Sequence, residues 1–141
     1  MTSNLVTNRV HIMIAPTRDV PWADDLARSL AQMRAVLHWP RTEGEAIGMA
    51  ASREMHLGIL NANRSVVDGL AVLRRIRRMG IELPCLLVCD EPDRQLLWEA
   101  LTLEALSVVR ADTHRNLLAS LLAKAVKRVC RDNGPFDTWK N

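Results

Sequence analysis

Asn61 is the polar residue of this sequence placed best for chemistry. It ends the apolar run 57–60, and turn-forming residues, among them Asn63 and Ser65, follow it. Such a run predicts a buried strand, and in an open α/β sheet the functional groups lie beyond the carboxyl ends of the strands. The amide nitrogen of Asn61 is not a useful nucleophile. The residue therefore either binds something or is a loop residue hydrogen-bonded to nearby backbone.

The cysteines and histidines offer weaker signals. The three cysteines are odd in number, and Cys85 and Cys89 are about 13 Å apart along one strand at about 3.3 Å per residue, too far for a disulfide. Both observations indicate a reducing compartment. Cys89 could be a redox sensor, although an inert buried thiol is the plainer interpretation. The histidines lack the spacing of metal ligands, and we expect packed or exposed side chains at His11, His38, His56 and His114.

A basic cluster lies within residues 74–78. Its members are Arg74, Arg75, Arg77 and Arg78. Leu73 and Ile76 fall on the opposite face of the same helix, so the pattern indicates a solvated helix face rather than a nucleic-acid patch. The net charge of +3 permits nucleic-acid binding without arguing for it.

The length and composition predict one globular domain. The chain has 141 residues, of which 48% are hydrophobic, close to the commonest domain size. No apolar stretch reaches the roughly 20 residues that span a bilayer, and the sequence 1–9 lacks the features of a signal peptide. We therefore expect a soluble, cytoplasmic protein.

Strands and helices alternate five times along the chain. The expected strands are Arg9–Ala15, Ala35–Trp39, Leu57–Asn61, Leu83–Cys89 and Leu106–Val109. The expected helices are Trp22–Met33 after Pro21, a helix from the T-x-x-E capping box at Thr42 through Ala51, a helix after Asp68-Gly69 that ends at Gly80, a helix opened by Asp90 and Pro92 that runs to Leu103, and Arg115–Arg131 capped by Thr113. In the last helix we expect five residues to face inward: Leu118, Leu121, Leu122, Ala125 and Val129. This alternation predicts βαβ units and a parallel sheet with helices on both faces.

The central segment also carries a family resemblance. An apolar strand ends at Asn61, Ser65 follows four residues later, Asp68 and Gly69 follow at seven and eight, and an LRRIR helix comes next. This spacing resembles the receiver domain of bacterial response regulators, the CheY-like fold. The resemblance covers about residues 8–130 and implies a flavodoxin-like α/β sandwich with five parallel strands in the order 2-1-3-4-5. We assign residues 1–130 to this domain and 131–141 to a flexible tail or the start of a linker.

The residues that would carry receiver chemistry are replaced in this chain. The resemblance implies a phosphate-accepting aspartate at Asn61, and two acidic ligands for a divalent metal at Ala15 and Pro16. An amide cannot form the acyl phosphate that a carboxylate forms. Neither Ala15 nor Pro16 offers a side-chain ligand for Mg²⁺. These replacements predict a pseudo-receiver without metal, cofactor or enzymatic activity.

Three further positions of the family differ as well. The resemblance implies a Ser or Thr that contacts the phosphoryl group at Cys89, a Lys at Arg110 and an aromatic switch residue at Ser107. A thiol is a weak hydrogen-bond donor, and positive charge remains at Arg110. That guanidinium could bind an anion in the vacated site, or it could pair with Asp90, Glu91 or Asp112.

Three functional hypotheses follow. The first is a signalling module that binds a protein partner or a second copy of itself independently of phosphorylation. The second is a sensor of a small anion or metabolite with Arg110 at the rim of its pocket, and the weakest is nucleic-acid binding through the basic cluster.

The fourth helix supplies the expected interaction surface. By the helical period, we expect one arc of this helix to dock on the sheet through Leu96, Leu97, Ala100, Leu101 and Leu103. Trp98 falls outside that arc, beside Arg94 and Thr102. An exposed Trp next to an Arg has the composition of an interface hot spot. The corresponding face of receivers, formed by the fourth helix, fifth strand and fifth helix, binds targets and dimer partners. The alternative is that Trp98 folds onto the fifth strand or last helix.

Overall fold

A computed structural model describes residues 9–15, 22–62, 68–111 and 115–132. These residues form five parallel strands in the order β2-β1-β3-β4-β5, as expected. The strands are β1 (Val10–Ala15), β2 (Ala35–His38), β3 (Leu57–Asn61), β4 (Cys85–Cys89) and β5 (Ser107–Arg110). Within the described part of the chain, no helix is long and apolar enough to span a bilayer.

Five helices connect and follow these strands in the described residues. They are α1 (Ala23–Ala31), α2 (Glu43–Ala51), α3 (Gly69–Arg78), α4 (Arg94–Thr102) and α5 (Arg115–Asp132). Side-chain caps fix three of their starts: Thr42 accepts a bond from the Glu45 N–H, Asp68 from Leu70 and Ala71, and Asp93 from Leu96. Each cap satisfies backbone donors that the first helical turn leaves unpaired.

The sheet separates two apolar layers. Successive side chains of β1 point to opposite faces, so Ile12 and Ile14 pack with α1 and α5 while Met13 and Ala15 pack with α2 and α3. The central strands β3 and β4 are buried along their whole length. The edge strands β2 and β5 have no fully buried residue, and they therefore hold the sheet less firmly than its centre.

The turns after the helices use the left-handed region of the backbone. Gly80 after α3 has φ 76°, as the sequence predicts, and non-glycine residues take the same region after α1, α2 and α4: Arg34 at 57°, Arg53 at 63° and Glu104 at 58°. The N–H groups of Gly80 and Ile81 donate to the carbonyls of Arg77 and Ile76, the bonding pattern of a Schellman motif.

Some boundaries differ from those expected. Strand β4 begins at Cys85 rather than Leu83 because Pro84 has no N–H for the ladder. Helix α4 begins after Asp93 rather than at Asp90 or Pro92, because Asp93 provides the cap. Strand β5 is shifted one residue toward the carboxyl end, to Ser107–Arg110.

Two details inside the helices also differ. Leu121 is exposed rather than inward-facing, because the buried stripe of α5 runs through Leu118, Leu122 and Val126. The Glu45 carboxylate accepts a bond from the Arg41 N–H at 2.7 Å, one residue before the partner that a capping box predicts. The expectations at Pro16, Pro21, Asn63, Ser65, Asp112, Thr113 and His114, and for the tail beyond 132, lie outside the described residues.

Candidate functional site

The carboxyl edge of the sheet collects four of the residues that the sequence singles out. Asn61 ends β3 opposite Val88, and the next residue of β4, Cys89, pairs with Arg110 of β5. Ala15 ends β1 opposite Leu60. The order across this edge is therefore a methyl group, an amide, a thiol and a guanidinium. Pro16, the fifth expected position, lies outside the described residues.

Asn61 is held tightly between its strand and the start of α3. Asn61 is only 3% exposed. The backbone N–H of the following residue, Ala62, donates to the Val88 carbonyl at 2.7 Å. A Cβ atom at Gly69 would lie 2.6 Å from the carbonyl oxygen and 2.8 Å from the nitrogen of Asn61. The helix start thus rests directly on the strand end, and Asn61 is a buried strand residue rather than part of a loop.

Asp68 explains the second half of this spacing. Its carboxylate accepts bonds from the N–H groups of Leu70 at 3.1 Å and Ala71 at 3.5 Å. An acceptor here orients the first turn of α3, and glycine at 69 lets that turn approach Asn61. The Asp-Gly pair that resembles receivers therefore has a packing role that is independent of phosphate chemistry.

The thiols at this sheet are buried. Cys89 is 2% exposed and Cys85 is fully buried. The Cys85 thiol donates to the Leu83 carbonyl at 3.3 Å, and burial raises its pKa to about 12, against weaker opposing effects of Arg77 and the Gly58 N–H. A thiol held in its neutral form is a poor nucleophile. Neither Cys85 nor Cys89 forms a disulfide, in agreement with the separation expected along the strand.

The remaining expected residues lie on β5. Arg110 is exposed at the carboxyl end, and Ser107 is exposed at the amino end opposite Leu86. The described residues contain no group of three or more His, Cys, Asp or Glu side chains arranged to hold a metal ion. The side-chain groups at the described part of this edge are the amide of Asn61, the thiol of Cys89 and the guanidinium of Arg110.

The outer surface of α4 is apolar. Trp98 and Leu101 are each 70% exposed and Leu97 is 46% exposed. These three residues, which we call the α4 patch, are neighbours at three and four positions along one helix face. Arg94 lies one turn before Trp98 and is also exposed. The Thr102 hydroxyl donates to the Trp98 carbonyl at 2.9 Å, so it faces its own helix backbone.

The expected orientation of α4 is therefore correct for Trp98 and wrong for Leu97 and Leu101. The buried residue of this helix is Ala100, with Leu96, Glu99 and Leu103 half-buried around it. A glutamate occupies this inner stripe because Arg74 of α3 donates to its carboxylate from Nε and Nη2. The leucines at 97 and 101 consequently turn outward.

The basic cluster is divided between two roles. Besides the Arg74–Glu99 ion pair, Arg77 donates to the carbonyls of Leu103 at 2.7 Å and Ile81 at 2.8 Å. These arginines tie α3 to α4 rather than forming a solvated face, while Arg75 and Arg78 are exposed. The cluster thus presents fewer cations to a ligand than the sequence suggests.

Sequence reasoning missed a histidine cluster on another side of the molecule. The ring nitrogen His11 Nδ1 lies 2.9 Å from His38 Nε2. The backbone N–H of His11 donates to His56 Nδ1 at 2.9 Å. Burial, followed by the charge of His11, lowers the pKa of both His38 and His56, and Glu54 opposes this effect at His38. The signal for this cluster was the strand order 2-1-3, which makes these three segments adjacent.

A cavity of about 380 Å³ lies at the amino edge of the sheet, away from Asn61. The ends of α2 and α3 and the loops before β3 and β4 enclose it, and its lining includes Arg53, Met55, Met79 and Glu82.

Solved structures of response-regulator receiver domains share this fold. The phosphorylated cyanobacterial phytochrome response regulator RcpA superposes with a TM-score of 0.71 at 14% identity, over 85% of this chain and 92% of that one. A two-component response regulator from Clostridium difficile gives 0.70 at 20% identity, over 86% and 96%. HP1043, an orphan response regulator of H. pylori, gives 0.67 at 12% identity, over 85% and 96%.

These likenesses show a CheY-like receiver fold. No protein-family model matches the sequence, and the search of curated proteins gave no match. Function must therefore be argued from the residues of this chain.

Proposed function

We propose that this chain is a receiver-like signalling domain that acts by binding a protein, a partner or a second copy of itself, without phosphoryl transfer. The observation that carries the proposal is the α4 patch, in which Leu97, Trp98 and Leu101 are exposed side by side. Exposed apolar side chains in a contiguous group are typical of interaction sites. Trp and Arg are both among the residue types enriched at the energetic centre of interfaces.

The acceptor position supports the absence of phosphotransfer. Asn61 is an amide in a buried position, and its backbone is packed against Gly69. Ala15 and Cys89, at the ends of the flanking strands, add no carboxylate. Asn61, Ala15 and Cys89 therefore supply none of the one or two carboxylates through which a protein usually holds Mg²⁺ beside a phosphate.

The anion-sensor hypothesis has one supporting observation. Arg110 is exposed at the end of β5, next to Cys89 across the ladder, where a guanidinium could meet an anion at the sheet edge. An anion that binds the folded state raises its stability by RT ln(1 + [L]/Kd). A panel of phosphate, sulfate, nucleotides and carboxylates in thermal unfolding therefore separates this hypothesis from a protein-binding module, for which we expect no shift.

The protein-binding proposal is tested by substitution in the α4 patch. We expect Trp98→Ala to abolish self-association in light scattering over the micromolar range, or to abolish capture of a partner from the native host. The matched control is Met79→Ala, which removes another large apolar side chain that is 52% exposed at the far end of α3. The proposal is wrong if the wild-type protein is monomeric and Trp98→Ala captures every protein that the wild type captures.

Phosphotransfer is tested directly. After incubation with acetyl phosphate and Mg²⁺, we expect no hydroxylamine-sensitive mass gain on this chain. The variant Asn61→Asp is also expected to remain unmodified, because it restores one carboxylate without the flanking acidic ligands. Incorporation of phosphate into the wild-type chain would overturn the proposal that the domain works without phosphorylation.

A further inference from the structure

The histidine cluster joins three neighbouring segments of the sheet. His11 belongs to β1, His38 to the edge strand β2, and His56 to the residues just before β3. The rings of His11 and His38 are stacked with centroids 5.2 Å apart, and those of His11 and His56 are tilted at 5.8 Å. His11 thus contacts both other rings, and two imidazole rings in contact repel each other when both carry a proton.

The hydrogen bonds of the cluster require unprotonated nitrogens. Between His11 Nδ1 and His38 Nε2, at 2.9 Å, one nitrogen donates and the other accepts. If both rings are protonated, two N–H groups face each other and the bond is lost. Likewise, His56 Nδ1 accepts a bond from the backbone N–H of His11. Protonation of His56 Nδ1 removes this acceptor.

Strand β2 is the element most easily released by this change. It has four residues, pairs with β1 along one side, and is half-buried throughout. Strand β1 is instead paired on both sides. Elements with few buried apolar contacts open at lower free energy than the core.

We propose that the histidine cluster makes β2 a proton-sensitive strand, which stays docked on β1 at neutral pH and is released in mildly acidic conditions. This inference is independent of the proposed protein binding, since β2 and β5 form opposite edges of the sheet and the cluster lies at the β2 edge, whereas α4 precedes β5. It gives the domain an input that requires neither phosphate nor metal.

The direction of the pH dependence follows from the lowered pKa values of His38 and His56. Below the ordinary value of 6.5, the unfolded or released chain binds protons that the docked cluster resists, so docking weakens as the pH falls through 6.5. Well above pH 6.5, His38 and His56 are neutral in both the docked and the released chain, so their contribution to the free energy of docking no longer changes with pH. Besides the rings themselves, Glu54 after α2 acts on the cluster, and it favours the charged form of His38. The adjacent charged residues Arg9 and Arg53 are exposed.

The test is an NMR titration from pH 8 to 5 in the presence of EDTA. We expect the ring resonances of His38 and His56 to titrate below 6.5. We expect the amide protection of Ala35–His38, corrected for intrinsic exchange, to fall relative to that of Cys85–Cys89. The loss can reach about tenfold for each unit by which a pKa is lowered.

Three variants complete the experiment. His38→Gln should remove most of the pH dependence, and His114→Gln, which removes a histidine distant in sequence, should leave it unchanged. Glu54→Gln should move the titration of His38 to still lower pH, a readout that survives if His38→Gln fails to fold. The proposal is overturned if the rings of His38 and His56 titrate at or above pH 6.5, or if amide protection falls equally in β2 and β4. It is also overturned if His38→Gln retains the wild-type pH dependence of β2 protection.

Discussion

At Asn61 and Gly69 the backbone of a strand end touches the backbone of a helix start. This contact separates two kinds of signal that the sequence presents together. The Asp68-Gly69 pair caps α3 and permits its close approach, and these are requirements of the fold. Residue 61 itself is an asparagine, whose side chain is an amide. Packing alone therefore accounts for the Asp-Gly part of the receiver-type spacing.

We predict that Gly69→Ala destabilises the protein by about 1–3 kcal/mol, the usual cost of inserting a methyl group where the structure is closely packed. The added Cβ would meet backbone atoms of Asn61, which cannot move aside as a flexible side chain can. The matched control is Gly48→Ala in α2, where a Cβ meets no atom within 4 Å and helix propensity favours alanine. Urea unfolding of both variants measures the difference, and equal stabilities would contradict the close contact.

At the scale of elements, α4 packs on the domain through buried Ala100 and the half-buried Leu96 and Leu103, and polar contacts join it to α3. Ala100 provides a small buried surface, while Arg74 binds Glu99 and Arg77 binds the carbonyl of Leu103. Leu97 and Leu101 on its outer face are 46% and 70% exposed. The orientation that exposes the α4 patch thus depends on an ion pair that links residues 25 positions apart.

We predict that Arg74→Gln increases amide hydrogen exchange in α4 several-fold more than in β4. The loss of global stability should stay below about 1 kcal/mol, because the pair is partly exposed and solvent screens it. Arg75→Gln, on the exposed side of the same helix, is the control and should leave exchange in α4 unchanged. Equal exchange in the two variants would show that the ion pair does not position α4.

These elements also show how far the sequence could predict the structure. The order of strands and helices was predictable because apolar periodicity and caps at Thr42 and Asp68 are local signals. The rotation of α4 was not, because leucines and an alanine make the helix apolar on more than one face and the ion pair that selects the inner stripe is nonlocal. The histidine cluster likewise depends on strand adjacency and on ring contacts that spacing along the chain does not reveal.

At the scale of the whole molecule, the sheet carries different features at different places. Asn61, Cys89 and Arg110 lie at the carboxyl ends of their strands. The α4 patch lies on the helix that precedes β5, the strand at one edge of the sheet. The histidine cluster joins β2, the strand at the other edge, to β1 and to the residues before β3. The receiver resemblance implies a coupling between the carboxyl edge and the α4 side. We expect Cys89 and Ser107, which lack the hydroxyl and the aromatic ring implied at their positions, to leave that coupling without its usual parts.

We predict that beryllofluoride with Mg²⁺ leaves the amide NMR shifts of residues 89–110 unchanged. A ligand shifts a conformational equilibrium only if it binds one state better than the other, and this phosphoryl mimic has no carboxylate at Asn61 to bind. A receiver that carries the acceptor aspartate, treated under the same conditions, is the positive control. Shifts in α4 or β5 of this chain would contradict the prediction.

The turn after α4 contains a non-glycine residue in the left-handed region, where a glycine would make the protein more stable. The N–H groups of Glu104 and Ala105 donate to the carbonyls of Leu101 and Ala100, the pattern that Gly80 forms after α3, but a glutamate takes the left-handed position. A non-glycine residue there costs about 1–2 kcal/mol, and glycine loses about 0.5–1 kcal/mol of that gain to chain entropy. Glu104→Gly should therefore raise the free energy of unfolding by about 0.5 kcal/mol in urea titration, whereas Glu99→Gly, inside the helix, should lower it. A chain stabilised in this way has a slightly larger margin against destabilising substitutions, which makes Glu104→Gly a useful background for new functional variants.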